Sequence, residues 1–548
     1  MLLMGPIIRI LQTMRFWFVS KGQKDQIFHL SIISLVFLTN TLRNLDDSGI
    51  YMDSVNPEYW IARTINPELA NPLWIPPTVG PPALLTLYAG TFSYFFELPI
   101  IKILGFSTFS LRFAQSVIGI ILLALVYKVI CIATKRPIIG LVTTLLLAIE
   151  PAFFFSYRTQ FQVMLAGLIW FFVSLILMYK KSSSRWSLPL LFAGLFYGFA
   201  VYTYFIYLFF LPGILTLLYL DQRRNLQKMF QWLLGLAIGL TPYLYGYISM
   251  FVAVGNVTET LNLIKGWLQM LQPTTGMNES FVTKIENSFA FSYQAISNIG
   301  NQWMLISDSM TPRSTDLKLL ILTLFLVILS AIFTSKALKN NLKNDRNYLA
   351  ILWILISSYL FFAAIFGGRL GSHHFILIVP LLYIVLGVCV GYLTDIFSLQ
   401  RYRFISLFLS ATLIGSLSLM QGNFLFERLR VTGGVGLSTN ALSNLAIDAR
   451  QDPSNSIYIF PDWGFFMPFA FQTQNLVEYS LDSGLNNIER YLTEGRVAKV
   501  AFWSPESLNA YKDVLSASEL KLTFKVIEYF RNDGVPAFQL LEVSLQDK

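Results

Sequence analysis

The sequence predicts an all-α polytopic membrane body of about eleven transmembrane helices, followed by a small α/β domain. Two observations carry this. Hydrophobic residues make up 55% of the 548 and charged ones only 13%, with a mean hydropathy of +0.57, which excludes a soluble globule. After residue 422 the composition reverses: charges return and long apolar runs stop. Aromatic residues at 15% suit lipid-facing helices with interfacial belts.

A transmembrane helix needs about 20 mainly apolar residues. Candidate spans fall at 27–44, 110–133, 137–156, 163–179, 187–203, 205–220, 229–250, 316–335, 347–366, 375–397 and 403–421. Arg9, Arg15, Lys21 and Lys24 precede the first span and no small-residue cleavage site follows it, so residues 1–26 read as a cytoplasmic N-terminus. Lys135-Arg136, Lys180-Lys181, the 221–228 and 336–346 clusters and Arg401 with Arg403 then alternate correctly on the cytoplasmic side. The net charge of +9 is therefore topology, and no nucleic-acid partner is implied. Cys131 and Cys389 both sit within apolar runs, which argues against a disulfide frame or a thiolate metal site.

Residues 83–104 are apolar too, but counting them as a span would invert every later basic cluster. They carry Glu97, Pro99 and Lys102 after a proline-rich stretch, and read as an interfacial or re-entrant helix within an outer loop, 45–109. The apolar run 187–220, about 34 residues, is too long for one helix and reads as a hairpin. A second outer loop covers 251–315, which leaves 27–421 as the membrane domain. In 422–548, strands are expected at 456–460, 498–502, 524–530 and 537–543, and helices at 486–494 and 505–516. This domain is expected outside the cytoplasm.

The chemistry-bearing residues crowd behind the first span. Asp46, Asp47, Asp53 and Glu58 lie within thirteen positions in a chain with 31 acidic residues. A base must ionise, meet the acceptor and sit where water is restricted, and a boundary carboxylate satisfies all three. Asp53 leads, set against an ordinary solvated acid or helix cap, with Glu58 as a second acid; Asp46 and Asp47 read as helix caps or exposed loop charges. Glu150, before Pro151, is an intramembrane acid and so a functional candidate, balanced by its boundary position. Arg112, Arg158 and Arg369 oppose the positive-inside tendency, and their guanidinium forks match phosphate oxygens; snorkelling to headgroups is the competing explanation. His373 and His374 are two of three histidines. Being adjacent, they favour one pocket-facing imidazole over a two-histidine metal site. There is no Walker lysine, His-Glu-x-x-His or nucleophile elbow.

In order along the chain, Ile50-Tyr-Met-Asp53, Gly80-Pro-Pro82, Leu104-Gly-Phe-Ser-Thr-Phe-Ser-Leu-Arg112, Pro151 to Arg158 and Ser372-His-His-Phe-Ile-Leu-Ile-Val-Pro380 resemble motifs of the GT-C superfamily. The resemblance is to the branch of protein O-mannosyltransferases and bacterial lipid A aminoarabinose transferase-like enzymes, and covers roughly residues 25–400. It implies inverting transfer of a sugar from a polyprenyl-phosphate donor to a glycan, lipid or protein acceptor at the outer face of a bacterial plasma membrane. Asp53 would be the base; Arg112, Arg158 and His374 would face the phosphate, with Arg369 and His373 beside them. Two positions depart from the pattern: Ser54 follows Asp53 where the family usually has Glu, and Gln162 stands where it usually has Asp. No nucleotide or redox cofactor is required, and ligand spacing does not indicate the divalent cation that a carboxylate loop would accommodate. A lipid or glycan transporter is disfavoured because no inverted repeat is visible. A catalytically lapsed scaffold would draw its support from Ser54 and Gln162.

Overall fold

The structure is a computed structural model that describes residues 23–67, 77–159, 162–180, 187–222, 226–270, 280–307, 348–367, 370–396, 400–451 and 453–546, with positions 318, 322–323, 326–327 and 330–331. Five helices are long and apolar enough to cross a membrane: Asp25–Asp47, Thr108–Thr134, Leu226–Val254, Tyr348–Phe366 and Ser372–Leu393. A sixth results if Pro137–Ala148 and Pro151–Thr159, bent by 56° at their break, form one span. The break falls just before Pro151, whose missing N–H cannot continue the helix.

The expected count of eleven is not reproduced among the described residues. Met164–Met178, Leu188–Thr203 and Phe205–Leu220 are apolar but shorter helices, and most of 316–335 lies outside the described residues. The 187–220 run is interrupted as expected, at Tyr204, where the backbone is extended. The stretch 403–421 lies inside a 33-residue helix, Gln400–Thr432. Residues 83–104 do not form a span: they make a hairpin, β1 (Leu84–Thr86) and β2 (Ala89–Gly90), then a helix, Phe92–Leu104, of 13 residues. That is shorter than the roughly 20 a crossing needs.

Small residues set one close contact. Gly194 and Gly198 on Leu188–Thr203 face Gly235 and Gly239 on Leu226–Gly239. A Cβ at Gly194 would lie 1.9 Å from the Trp232 carbonyl oxygen, and one at Gly235 would lie 2.0 Å from that of Leu191. Each helix thus carries a glycine pair at i, i+4, the spacing that lets apolar helices touch through their backbones.

The C-terminal sheet has strand order β4-β3-β5-β7-β6, with β3 Ser456–Ile459, β4 Tyr479–Ser480, β5 Val497–Phe502, β6 Leu522–Phe530 and β7 Pro536–Leu545. β3 runs parallel to β4 and β5, while β7 is antiparallel to β5 and β6. The predicted strands and helices stand within a residue or two of these positions. Alternation along β3 sends Ile457 and Ile459 into a core shared with helices Leu485–Thr493 and Pro505–Ser516. It sends Tyr458 and Phe460 the opposite way, into the core of the helical body. The unpredicted helix Phe466–Gln472 mediates this second contact, packing on helix Asn56–Ile65.

Candidate functional site

The acidic segment is held from beneath by two buried guanidinium groups. Thr108–Thr134 starts at a reciprocal cap between Ser107 and Ser110, which places Arg112 one turn in. Arg112 is 1% exposed and donates to the carbonyls of Leu45, Ser48 (2.8 Å) and Gly49 (3.3 Å), and to Ser48 Oγ (3.0 Å). Arg158, equally buried, donates to the carbonyls of Thr41 (3.2 Å), Arg43 and Asn44. Asn44 turns through the left-handed region at φ 49°, which its short side chain tolerates. Asp46 and Asp47 follow as loop charges and add negative potential at both arginines.

Beyond this clamp the chain meets the C-terminal region. Gly49 N donates to Ser438 O at 2.9 Å. Asp53 then rides a 3-10 turn, Met52–Val55, fastened by Ser54 Oγ donating to Tyr51 O at 2.7 Å. The Tyr51 hydroxyl donates to Asp53 Oδ2 at 3.0 Å. Pro57 opens the helix Asn56–Ile65, where its fixed φ is already helical.

Asp53 lines a cavity of about 860 Å³. Its lining combines the apolar residues Phe205, Leu208, Leu240, Ile264 and Phe366 with Asp53, Asn56, Thr86, His373, His374 and Trp463. Burial pushes the Asp53 carboxyl up to about 6, an increase partly offset by the Tyr51 hydroxyl. Such a group is mostly ionised at neutral pH yet close enough to it to take and return a proton. Both histidines line the cavity, not one as adjacency on an α-helix would predict. The segment Ser372–Leu377 is a 3-10 turn, and the two rings lie 4.0 Å apart, tilted by 41°. Gly371 N donates to His374 Nδ1 at 3.0 Å, and the same ring nitrogen lies 3.3 Å from Gly371 O.

The model of the dolichyl-phosphate-mannose-protein mannosyltransferase family matches residues 91–245. The fold is similar to that of the oligosaccharyltransferase of Archaeoglobus fulgidus in its apo form, with a TM-score of 0.51 at 12% identity over 94% of this chain and 74% of that one. The same enzyme tethered by a disulfide to an acceptor peptide containing the NVT sequon gives 0.50 at 11% identity, over 87% and 69%. The family match covers residues 91–245, under a third of the chain, and the likeness to the two solved structures is one of fold. No curated protein matches its sequence.

The residues expected at the site divide into two groups. Asp53, His373 and His374 share the cavity. Arg112 and Arg158, expected at a phosphate, do not line it and are occupied with loop carbonyls. Gln162 opens the helix Gln162–Met178, its side chain outside the described residues, as is all of Arg369. Glu58 is wholly buried and is not a lining residue. It accepts from Gln115 Nε2 at 3.0 Å and pairs with Glu97. Burial, then the charge of Glu58, holds the Glu97 carboxyl well above the usual carboxylate range, so Glu97 carries the proton that the pair shares. Glu150 is likewise engaged elsewhere: Lys318 Nζ reaches it at 2.5 Å, Ser418 Oγ at 3.0 Å, and the Tyr383 hydroxyl also donates to it. Lys318 adds a bond to Gln421 Oε1 at 3.0 Å.

Sequence reasoning missed Tyr51, Asn56, the β1–β2 hairpin and Trp463. Of these only Tyr51 carries a signal, a phenol two residues before the leading acid. Among the described residues no group of three or more His, Cys, Asp or Glu is placed to hold a metal ion.

Proposed function

We propose that this protein transfers a sugar from a polyprenyl-phosphate donor to an acceptor hydroxyl at the outer membrane face, with inversion and with Asp53 as base. The observation that carries this reading is Asp53 itself: a carboxyl raised to about 6 and steadied by Tyr51, on the wall of a cavity whose lining combines apolar side chains with two histidines, Asn56 and Thr86. The Asp53 carboxylate accepts the acceptor proton while the acceptor oxygen bonds to the sugar's anomeric carbon. The bond from that carbon to the phosphate oxygen breaks, and polyprenyl phosphate leaves with the electron pair. His373 and His374 supply N–H groups for the phosphate, and Arg369 is next in sequence to the lining residue Leu370. The apolar lining receives the first prenyl units and keeps water from the anomeric carbon.

The test is transfer from a panel of radiolabelled polyprenyl-phosphate sugars by membranes carrying wild type or Asp53→Asn at equal expression. Transfer by wild type that vanishes in the variant is the expected result. Transfer that persists in Asp53→Asn removes the base from Asp53.

A further inference from the structure

The cavity is not built by the helical body alone. Trp463, in the loop between β3 and helix Phe466–Gln472, lines it while remaining 49% exposed. The loop is fixed on both sides. Trp503 Nε1 donates to Trp463 O at 2.6 Å, and Trp503 N donates to Asp462 Oδ2 at 3.0 Å. Gly464 N approaches Met52 Sδ at 3.1 Å, beside the turn that bears Asp53. Gly464 itself has φ +110°, and a Cβ there would come 2.4 Å from Leu437 Cδ2, so only glycine fits. A large, half-open indole is thus brought to the cavity wall on a loop that is itself fixed, as a binding surface requires.

The other polar lining groups indicate what would lie against it. Asn56 and Thr86 are neutral hydrogen-bonding side chains, and Asn56 Oδ1 is buried without a hydrogen-bond partner. No lysine, arginine or glutamate appears among the described lining residues. An extended peptide would call for an open strand edge. The hairpin that lines the cavity offers little of one: Leu87 O accepts from the Tyr247 hydroxyl, and Tyr88 O from the Tyr243 hydroxyl and Phe205 N. A pyranose suits the remaining surface. Its C–H face packs on an indole, and its hydroxyls suit an amide, an alcohol and a carboxylate.

We propose that the acceptor is a carbohydrate whose ring stacks on Trp463, so that the C-terminal domain supplies the acceptor subsite. This rests on Asp53 being the base, and the experiment separates the two ideas. Full-length protein in lipid nanodiscs is titrated with methyl hexopyranosides and neutral disaccharides, and separately with threonine-bearing peptides, using saturation-transfer NMR. Wild type and Asp53→Asn should both bind a saccharide. Trp463→Ala should weaken that binding about tenfold or more, as truncating a central aromatic anchor does, while Trp463→Phe retains most of it. Equal melting temperatures exclude misfolding. Saccharide binding that Trp463→Ala leaves intact overturns the proposal, as does its absence from wild type, whether or not a peptide binds. Trp463-dependent saccharide binding with no sugar transfer from any donor would instead sink the glycosyltransferase reading and leave the subsite standing.

Discussion

At the scale of single residues, Asp53 and the two buried arginines make opposite claims on charge. Asp53 is a carboxyl raised from 3.8 to about 6 by burial. Activity should therefore fall through one protonation near pH 6 on the acid side. Tyr51→Phe removes the bond that lowers the Asp53 pKa, so the acid limb of kcat/KM should move to higher pH. An unmoved limb would mean that another group titrates. Because the raised carboxyl binds its proton more tightly folded than unfolded, stability declines between the two values and stays lower at neutral pH, by about 2–3 kcal/mol. Asp53→Asn should accordingly raise the melting temperature at pH 7.5 while abolishing transfer. Arg112 and Arg158 were conspicuous in the sequence because they oppose the charge asymmetry of the loops. The reason is not legible there, since the carbonyls that occupy them carry no side-chain signature. Lysine cannot fork across several carbonyls. Arg112→Lys or Arg158→Lys should lower stability by about 2–4 kcal/mol and reduce activity in parallel, as thermal unfolding would record. A raised donor KM at unchanged stability would return these residues to the phosphate.

Between elements, the Glu58–Glu97 contact joins the helix after Asp53 to the short helix that precedes the Thr108–Thr134 span. Its proton makes the joint sensitive to pH. Glu97 binds that proton more tightly folded than unfolded, so stability should fall as pH rises from the ordinary carboxylate range toward the raised value. Glu97→Gln keeps a permanent donor to Glu58. It should flatten that slope and gain about 1–3 kcal/mol at high pH, measured as melting temperature against pH. A slope that survives would place the titrating group elsewhere. Glu97 already marked its segment as one that does not cross the bilayer, but its partner 39 positions earlier left no pattern. The strands were readable for a physical reason. Residues such as Ile457, Tyr458, Ile459 and Phe460 alternate between two buried faces and are bounded by turn-forming residues. Helix Phe466–Gln472 was not readable, because six of its seven residues are buried and no period distinguishes it from a strand.

For the whole molecule, the acidic loop is a seam between two domains that the sequence presents as separate. Gly49 lies so close to the 438–440 segment that a Cβ would stand 2.0 Å from the Thr439 carbonyl oxygen. Backbone cannot yield as a flexible side chain would, so Gly49→Ala should cost about 1–3 kcal/mol. It should also depress transfer more than a distant substitution of equal cost. Comparison at matched stability checks this, and equal loss from both would make the seam structural only. Composition puts a boundary at residue 422, which falls inside the helix Gln400–Thr432. It could not show that Tyr59 and Tyr479 share a 2.8 Å hydrogen bond across 420 positions.

That separation along the chain has a consequence for manufacture. A ribosome emits the Asp53 loop well before the segments that seat it, 433–440 and 461–479. Until these emerge and dock, Gly49, Met52 and Tyr59 lack their distant partners. A nascent chain would thus carry the acid without its fixed setting, and chemistry at Asp53 would wait until those segments are made.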